Sequence, residues 1–520
     1  MSPPKPGSKP GKIKLSAAEL ERQFTQAALW YRSGDLERAA AAFRVLAFEV
    51  PASAEIHNHL GMVLYDQRRL VAAEQEFHRA VTLKEDYPKA WVNLGNARLA
   101  QHRPADALAA FDRAATLAPH LSQVHANRGS AFLRLEQEEQ AADGGRADLG
   151  DLLEQAEASF RRALELDPDR IDTLINLGVV LSTRHRLEES LAVYRKALAL
   201  TPDLPELHHN YAMVLIQSRR FREGWREYEW RWKTRRTSAN RPMSHRPRWQ
   251  GEPLEGRTVL FCSEQGFGDT IQFVRYAPLI AERGGRVILR VQRPLIRLLA
   301  GLDGISGIVG RGDPEPPHDC HLPMMSAPMV FATEWETVPA AIPYLAADPA
   351  RAEAWRERLS ALAPLRVGLV WSGEPRLTDH EMATTNRRRS IAPERFAPLA
   401  AVPGVALVGL QFGTAAQAAG QAPFPIFDAM AGVSDFADTA AIVAALDLVV
   451  SVDTSVAHLA GAMGKPVWIL SRYDGCWRWP PDREDSPWYP TARIFHQESP
   501  GDWTGVIARI RDALAELADR

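Results

Sequence analysis

A 34-residue period runs through the first part of this chain. Ala39, Ala73 and Ala107 are each 34 residues apart, and each is followed four positions later by a phenylalanine. A small residue lets two helices approach closely, and we expect the aromatic residue to fill the gap between neighbouring repeats. Such a pattern predicts helix pairs that stack into a solenoid, because a single pair cannot bury its own apolar face.

The period loses its phase once, in the fourth repeat. The next aromatic residue should fall near position 145, where the sequence reads ADGGRADLGD, but it falls at Phe160. Tyr194 and Tyr228 then resume the 34-residue step. We therefore predict an insertion of about 15 residues near 142–156, in the turn between the two helices, where an insertion costs least.

The period, with its small and aromatic positions, is that of tetratricopeptide repeats, and about six of them are predicted over residues 19–235. The basic stretch 1–18 lacks the apolar run of a secretory signal, so we expect a disordered tail. Solenoids usually present a concave groove and rarely carry their own chemistry, which favours binding of a partner protein or peptide. A purely structural spacer is the alternative.

Composition narrows the function classes. A net charge of −2 and a pI near 6.8 give no general attraction to nucleic acid, so no nucleic-acid partner is expected. We find no apolar run of about 18 residues and therefore expect no membrane span. The three cysteines are far apart and lack metal-ligand spacing, which favours a reducing compartment, and we expect a cytoplasmic protein.

The second part of the chain alternates short apolar strands with helices. Such alternation predicts parallel α/β sheets, and 520 residues are enough for about three domains. A proline-rich stretch around 314–349 separates two series of strands. We predict two Rossmann-like domains that face a cleft, over 236–350 and 351–520, the second ending in an amphipathic helix. Open parallel sheets bind ligands beyond the carboxyl ends of their strands.

The loop SEQGFGDT, residues 263–270, follows a predicted strand and opens a helix. Gly266 and Gly268 permit a tight turn and a close approach of the backbone to a ligand. Asp269 then lies at the helix start. It could serve as an N-cap, as a functional carboxylate, or as both.

A second loop lies in SVDTSVAHLAGAMGKPVWIL, residues 451–470. After a strand, a helix is predicted whose first turn is Asp453, Thr454 and Ser455. Free backbone N–H groups, the positive end of the helix dipole and two hydroxyls suit a phosphate, and Asp453 could accept hydrogen bonds from a sugar. Ordinary capping, with His458 packed one turn along, is an equally good interpretation.

Further polar stretches lie in the second series of strands. Ser372 and Gly373 end a strand, and Gln411 follows the strand VALVGL, where it could contact a base or a ribose. A polar run that offers three guanidinium groups to phosphate is predicted just before a helix and comprises Asn386, Arg387, Arg388, Arg389 and Ser390. A solvated loop is the usual alternative. The segment CWRWPPDREDSPWYP could close over a ligand, although burial of its tryptophans between domains is favoured slightly.

Together these motifs resemble the heptosyltransferase-type glycosyltransferases of the GT-B fold. SEQGFGDTIQFVRY, VGLVWSG, NRRRSIAPERF, SVDTSVAHLAGAMGKPVW and WRWPPDREDSPWYP resemble bacterial proteins in which tetratricopeptide repeats precede such a domain, some of them flagellin glycosyltransferases. The resemblance covers residues 20–517. It implies an all-α superhelix of repeats followed by an α/β GT-B fold.

The resemblance also implies roles for individual residues. Asp269 matches the general base, and one of the three arginines matches the basic residue that neutralises the leaving phosphate. Heptosyltransferases usually have a lysine at that place and lack the repeats, so a heptose donor and a lipopolysaccharide acceptor do not follow. The donor-binding residues predicted from the loops and the resemblance together are Gln265, Gly266, Gly268, Ser372, Gly373, Arg387, Arg388, Arg389, Ser390, Gln411, Asp453, Thr454, Ser455 and His458.

The predicted function is that of an inverting protein O-glycosyltransferase, whose repeats bind an acceptor protein, flagellin being one candidate. No DxD-like metal pair stands out in the ligand-facing loops, so we expect no cofactor and no metal beside the nucleotide-sugar donor. CMP, UDP, GDP and ADP are all compatible with these loops. The alternatives are a glycan or lipopolysaccharide glycosyltransferase whose repeats serve assembly, and a non-catalytic scaffold.

Overall fold

The computed structural model describes residues 16–140, 149–234, 244–374 and 380–519. Most of the predicted tail, the centre of the predicted insertion and the start of the linker after the repeats lie outside these residues. The described chain divides into two units. The first unit comprises 16–135 and 152–173, and the second comprises 136–140, 149–151, 174–234, 244–374 and 380–519.

The repeats form paired α-helices, as the period predicts. Numbered α1 to α12, they span Ala17–Arg32, Leu36–Glu49, Ala54–Asp66, Leu70–Leu83, Pro88–Ala100, Pro104–Leu117, Ser122–Gln140, Leu149–Leu166, Ile171–Thr183, Leu187–Leu200, Pro205–Gln217 and Phe221–Tyr228. A short 3-10 helix, Glu229–Lys233, follows. The first helix starts inside the stretch predicted as a tail, because the Ser16 hydroxyl accepts a hydrogen bond from the Glu19 N–H and caps it.

The small and aromatic positions pack against each other within a repeat. A Cβ added at Gly61 would lie 2.6 Å from the ring of Phe77, and one added at Gly129 would lie 2.7 Å from the ring of Phe160. Only glycine therefore lets the second helix of the pair come this close. The ring joins the two helices of its own repeat, a contact that the expectation of a purely inter-repeat role missed.

The fourth repeat absorbs part of its insertion as helix. Its helices α7 and α8 have 19 and 18 residues, whereas those of the second repeat, α3 and α4, have 13 and 14. The stretch 149–156 lies in α8, so placing the whole insertion in a turn was wrong. The physical reason is that its Leu-, Ala- and Glu-rich sequence continues the amphipathic pattern of the helix. Residues 142–148 lie outside the described residues.

Two parallel sheets follow in the second unit, as predicted. The first sheet has the order β3-β2-β1-β4, with strands β1 to β4 spanning Thr258–Cys262, Arg286–Val291, Ile305–Gly310 and Cys320–Pro323. The second has the order β10-β9-β8-β5-β6-β7, with strands β5 to β10 spanning Leu365–Val370, Val405–Gly409, Phe427–Asp428, Leu448–Val452, Val467–Ser471 and Ala492–His496. The strands within each sheet pair in parallel, so in each sheet the carboxyl ends of the strands lie at the same edge.

Short helices connect the strands. Numbered α13 to α22, they span Phe267–Phe273, Ala277–Glu282, Ile296–Leu299, Ala327–Val330, Pro349–Leu359, His380–Arg389, Ala397–Ala400, Phe436–Ala444, Ser455–Ala462 and Trp503–Ala518. Further 3-10 turns span Val274–Tyr276, Arg293–Leu295, Met324–Ser326, Trp335–Thr337, Pro393–Phe396 and Thr414–Gln421. The amphipathic helix predicted at the end of the chain is α22.

The last repeat shares its core with the sheets. Phe221, Trp225 and Tyr228 are buried in the same apolar cluster as Val259 of β1 and Val449 of β8. One apolar core therefore includes residues from both sides of 235, the predicted boundary between the repeats and the first Rossmann-like domain. From Leu174 in α9 onward, the last repeat helices belong to the second unit.

Candidate functional site

Asp269 lies in the first turn of α13, directly beyond the carboxyl end of β1. Gly266 occupies the N-cap position with extended backbone angles, so the helix starts earlier than predicted and Asp269 is its third residue rather than its cap. One carboxylate oxygen of Asp269 accepts the backbone N–H of Gly266 at 3.0 Å. This bond fixes the carboxylate over the turn and leaves its other oxygen facing outward from α13.

The turn before Asp269 is braced from the last repeat. The Gln265 side-chain amide donates to the Tyr228 hydroxyl at 2.8 Å, and Gln292 donates to the Gln265 carbonyl. One residue earlier, Glu264 accepts two hydrogen bonds from the Nη2 of Arg231, at 3.1 and 3.0 Å. Both partners of this ion pair are buried, so a bidentate charge pair that is shielded from solvent holds the loop before Asp269.

The second loop runs from the carboxyl end of β8 into α21. This helix begins at Ser455, so Asp453 and Thr454 precede it instead of forming its first turn. Thr454 holds the N-cap position, but its side chain makes no cap hydrogen bond and instead contacts the Ser451 hydroxyl at 3.0 Å. Capping therefore does not explain why a threonine stands at this helix start.

The two loops pack against each other. A Cβ added at Gly268 would lie 2.6 Å from Cδ2 of His458 and 3.5 Å from Cα of Ser455. The His458 Nδ1 pairs with the Tyr489 hydroxyl at 2.9 Å, and its Nε2 lies 3.9 Å from an oxygen of Asp453. Burial, helped by the nearby charge of Arg478, lowers the pKa of His458 to about 3, so the ring is neutral near pH 7.

Arg478 faces Asp269 and was not singled out from the sequence. Its Nη2 lies 2.5 Å from the outward oxygen of Asp269, and its Nε donates to Gln272. The two paired residues are 209 positions apart, and the segment was interpreted mainly as a set of buried tryptophans. That interpretation is also correct, since Trp477, Trp479 and Trp488 are buried.

The arginine run forms the end of helix α18, not a loop before a helix as predicted. Cations at a helix C-terminus are favoured by the helix dipole. Successive residues of a helix point about 100° apart, so the three arginine side chains extend in different directions. Arg387 donates to the Thr384 hydroxyl at 2.9 Å, whereas Arg388 pairs with Asp474 at 2.8 Å.

Arg389 is the member of the run that reaches the second loop. Its Nη1 donates to the backbone carbonyl of Asp453 at 2.9 Å, and its Nε donates to Asn386 at 3.1 Å. A Cβ at Gly373 would collide with this guanidinium, so the glycine gives it room. Burial alone would raise the Asp453 pKa, but electrostatic interactions with His458, Arg389 and Arg478 bring this pKa below its ordinary value.

The loop after β5 is supported by Gln411, whose side chain was predicted to face a nucleotide. Its oxygen accepts the backbone N–H groups of Trp371 and Ser372, at 3.2 and 2.9 Å, and its nitrogen donates to the carbonyl of Ser372 at 3.0 Å. Ser372 also contacts the Ser390 hydroxyl at 2.9 Å. Gln411 thus holds the position of the loop by hydrogen bonds to main chain.

A cavity of about 630 Å³ lies elsewhere, beside the terminal helix α22. Arg493 and His496 of β10 line it together with Arg509, and none of the predicted site residues is among its lining residues. In the part of the chain that the structure describes, no helix combines the length and the apolar character needed to cross a bilayer.

Models of known protein families match segments in both halves of the chain. Residues 24–89 and 145–205 match one tetratricopeptide repeat model and residues 88–121 match another, while residues 414–496 match the model of glycosyltransferase family 9 (heptosyltransferase). The chain thus combines tetratricopeptide repeats with a family 9 glycosyltransferase domain. The matched segment contains Asp453, His458 and Arg478, whereas Asp269 and Arg389 lie outside it.

One relative spans nearly the whole chain. Protein FlbA of Caulobacter vibrioides is 26% identical over 516 residues, which cover 94% of this chain and 77% of FlbA. Solved structures match parts of the chain. A tetratricopeptide repeat protein of Thermus thermophilus, TTC0263, is 22% identical with a TM-score of 0.31 and covers 35% of this chain and 92% of its own. PilF of Pseudomonas aeruginosa is 16% identical with a TM-score of 0.34 and covers 41% and 89%.

Proposed function

We propose that this protein is a GT-B glycosyltransferase that moves a sugar from a nucleotide-sugar donor to a serine or threonine of an acceptor protein. The observation that carries the proposal is the direct packing of the Asp269 turn on the start of α21, marked by the contact of Gly268 with His458. It brings a carboxylate next to a helix start suited to phosphate, within a chain that matches family 9.

The donor phosphate is proposed to lie at the start of α21. There the first N–H groups of the helix point outward, and the hydroxyls of Thr454 and Ser455 can donate to phosphate oxygens. Arg389 is the best placed of the three arginines, because it already bonds to the Asp453 carbonyl. Gly373 and Ser372 line the neighbouring loop, where the backbone allows a nucleotide to approach.

The proposed reaction is a single displacement with inversion. The acceptor hydroxyl oxygen attacks the anomeric carbon of the sugar, and its proton passes to the carboxylate of Asp269. The bond between the anomeric carbon and the phosphate oxygen breaks, and its electron pair leaves with the nucleotide. The charge that develops on this oxygen is stabilised by arginine and by the N-terminus of α21, so the proposal needs no metal.

The acceptor is proposed to be a protein held by the repeats, and flagellin is the first candidate because of the resemblance stated above. A solenoid of helix pairs offers an extended surface, which suits an acceptor that has to be presented as a protein rather than as a small molecule. The donor is expected to be a sugar linked to CMP, UDP, GDP or ADP.

The direct test is to incubate the purified protein with a flagellin acceptor and with CMP-, UDP-, GDP- or ADP-linked sugars in turn, and to record the intact mass of the acceptor. We expect an increase by one or more sugar masses with one donor class and loss of the increase with Asp269→Asn. Release of nucleotide with glycan acceptors but never with protein would favour the glycan transferase. Absence of nucleotide binding and of transfer would favour the scaffold.

A further inference from the structure

Arg478 pairs with the oxygen of Asp269 that does not accept the Gly266 N–H. Its Nη2 lies 2.5 Å from one carboxylate oxygen, and the other oxygen accepts the Gly266 N–H. The side chains of Arg478 and Asp269 are 10% and 22% exposed, so little water screens the pair. A guanidinium at this oxygen occupies one of its acceptor positions, which an acceptor hydroxyl would otherwise use.

The same guanidinium lies close to the proposed phosphate position. The ring of Trp479, the next residue, lies 5.7 Å from the ring of His458 on α21. Arg478 also acts electrostatically on Asp453, just before that helix. Arginine binds phosphate oxygens with the same fork geometry that it offers to a carboxylate, and a diphosphate carries more charge than Asp269.

We propose that Arg478 is a ligand of the donor phosphate and that its pair with Asp269 is the resting state of the site. This inference depends on the proposed function. When the nucleotide-sugar binds, the guanidinium turns from Asp269 to the phosphate oxygen that will become the leaving group. Its movement releases the carboxylate for the acceptor hydroxyl. The donor therefore has to bind first, and the base is not available without it.

The other arginines near the site have different roles. Arg388 pairs with Asp474, and Arg389, proposed above for the donor phosphate, bonds to the backbone of the Asp453 loop. Arg478 is held by the carboxylate that the reaction needs. Its position, and not the number of arginines in the run, makes it the group that can link donor binding to release of the base.

The test is calorimetric titration of the full-length protein with CMP, UDP, GDP and ADP and with the matching nucleosides. Arg478→Gln should weaken the nucleotide that binds by roughly 10- to 100-fold, because a charge-assisted contact is lost, and should leave the nucleoside unchanged. Arg478→Lys should give a smaller loss. Arg483→Gln, on the same segment and paired with exposed Asp485, is the matched control.

Asp269→Asn gives an opposite expectation, since it frees Arg478. Nucleotide affinity should rise several-fold in this variant, and the gain should vanish in an Arg478→Gln background. A gain that persists without Arg478, or unchanged affinity in Arg478→Gln, would overturn the inference and leave the transferase proposal standing. Absence of binding to every nucleotide by the unmodified protein would contradict both.

Discussion

Gly268 of α13 and His458 of α21 lie in direct contact although their helices follow strands of two different sheets, and a Cβ added at Gly268 would lie 2.6 Å from the histidine ring. The ring cannot move away freely, since its other side is bonded to the Tyr489 hydroxyl. We expect Gly268→Ala to lower the free energy of unfolding by about 1–3 kcal/mol through overpacking and to weaken nucleotide binding.

Thermal unfolding and nucleotide titration would check the Gly268 prediction. Gly307→Ala is the matched control, because a Cβ there meets Ile288 only at 3.8 Å, an ordinary contact. Equal effects of the two substitutions would mean that the close approach of the two loops has no importance for the site.

Glu136, on the part of α7 that belongs to the second unit, makes stability depend on pH. Burial raises its pKa to about 7, against 4.5 for a free glutamate, and this environment includes Arg388, Asp474 and Arg472. Within the described residues neither of its carboxyl oxygens has a hydrogen-bond partner. The folded state therefore favours the protonated form of Glu136. The stability that this form contributes is complete below pH 4.5 and is lost as the pH rises to about 7.

Glu136→Gln should remove that dependence. At ~1.36 kcal/mol for each pH unit between the two pKa values, the variant should gain about 3 kcal/mol at pH 8 and nothing at pH 4.5. Thermal midpoints at the two pH values would measure the difference. Glu21→Gln, on the exposed face of α1, is the control and should show no such contrast. A variant less stable than the parent at pH 8 would contradict the prediction.

The buried pair of Arg231 and Glu264 is expected to hold the loop that leads to Asp269. Arg231→Met leaves the Glu264 charge unpaired in a buried place and should lower stability by about 3–5 kcal/mol. Urea unfolding would measure this loss. Arg493→Ala breaks an exposed ion pair with Glu484 and should lower stability by less than ~1 kcal/mol. Comparable losses in the two variants would contradict the prediction that the Arg231–Glu264 pair holds the loop.

Substitutions of Arg389 and Arg387 would show which arginine of the run binds the nucleotide. Arg389→Gln should weaken binding of the preferred nucleotide, because the guanidinium lies at the Asp453 carbonyl, whereas Arg387→Gln should have little effect, because its side chain turns to Thr384. Calorimetric titration of both variants would distinguish them. Equal losses would place the phosphate along the whole run rather than at the Asp453 loop.

The repeats and the strands could be predicted because their burial follows local periods in the sequence. A step of 34 residues predicted the helix pairs, although not the contact of Gly61 with Phe77 inside one pair. Short apolar runs predicted β1, β2, β5, β6, β8 and β9 to within a residue or two, whereas β3, β4, β7 and β10 were missed. The loops at the carboxyl ends of β1 and β8 followed from the same logic, since parallel strands share one edge.

Contacts between distant segments could not be predicted in this way. No local pattern links Arg478 to Asp269 or Gln411 to the backbone of Ser372. The arginine run lacks an apolar period, so it was interpreted as a loop, although Arg388, which pairs with Asp474, lies in helix α18. The conformation of such segments depends on contacts with distant parts of the chain, and these contacts form only when the chain folds.

The most direct measurement compares the parent protein with Asp269→Asn, recording transfer to the acceptor by mass spectrometry and nucleotide binding by calorimetry. If Asp269 is the general base, the rate of transfer should fall by roughly 10²–10⁴-fold while the nucleotide still binds at least as tightly as before. Transfer at an unchanged rate in Asp269→Asn would contradict the assignment of this carboxylate as the group that activates the acceptor.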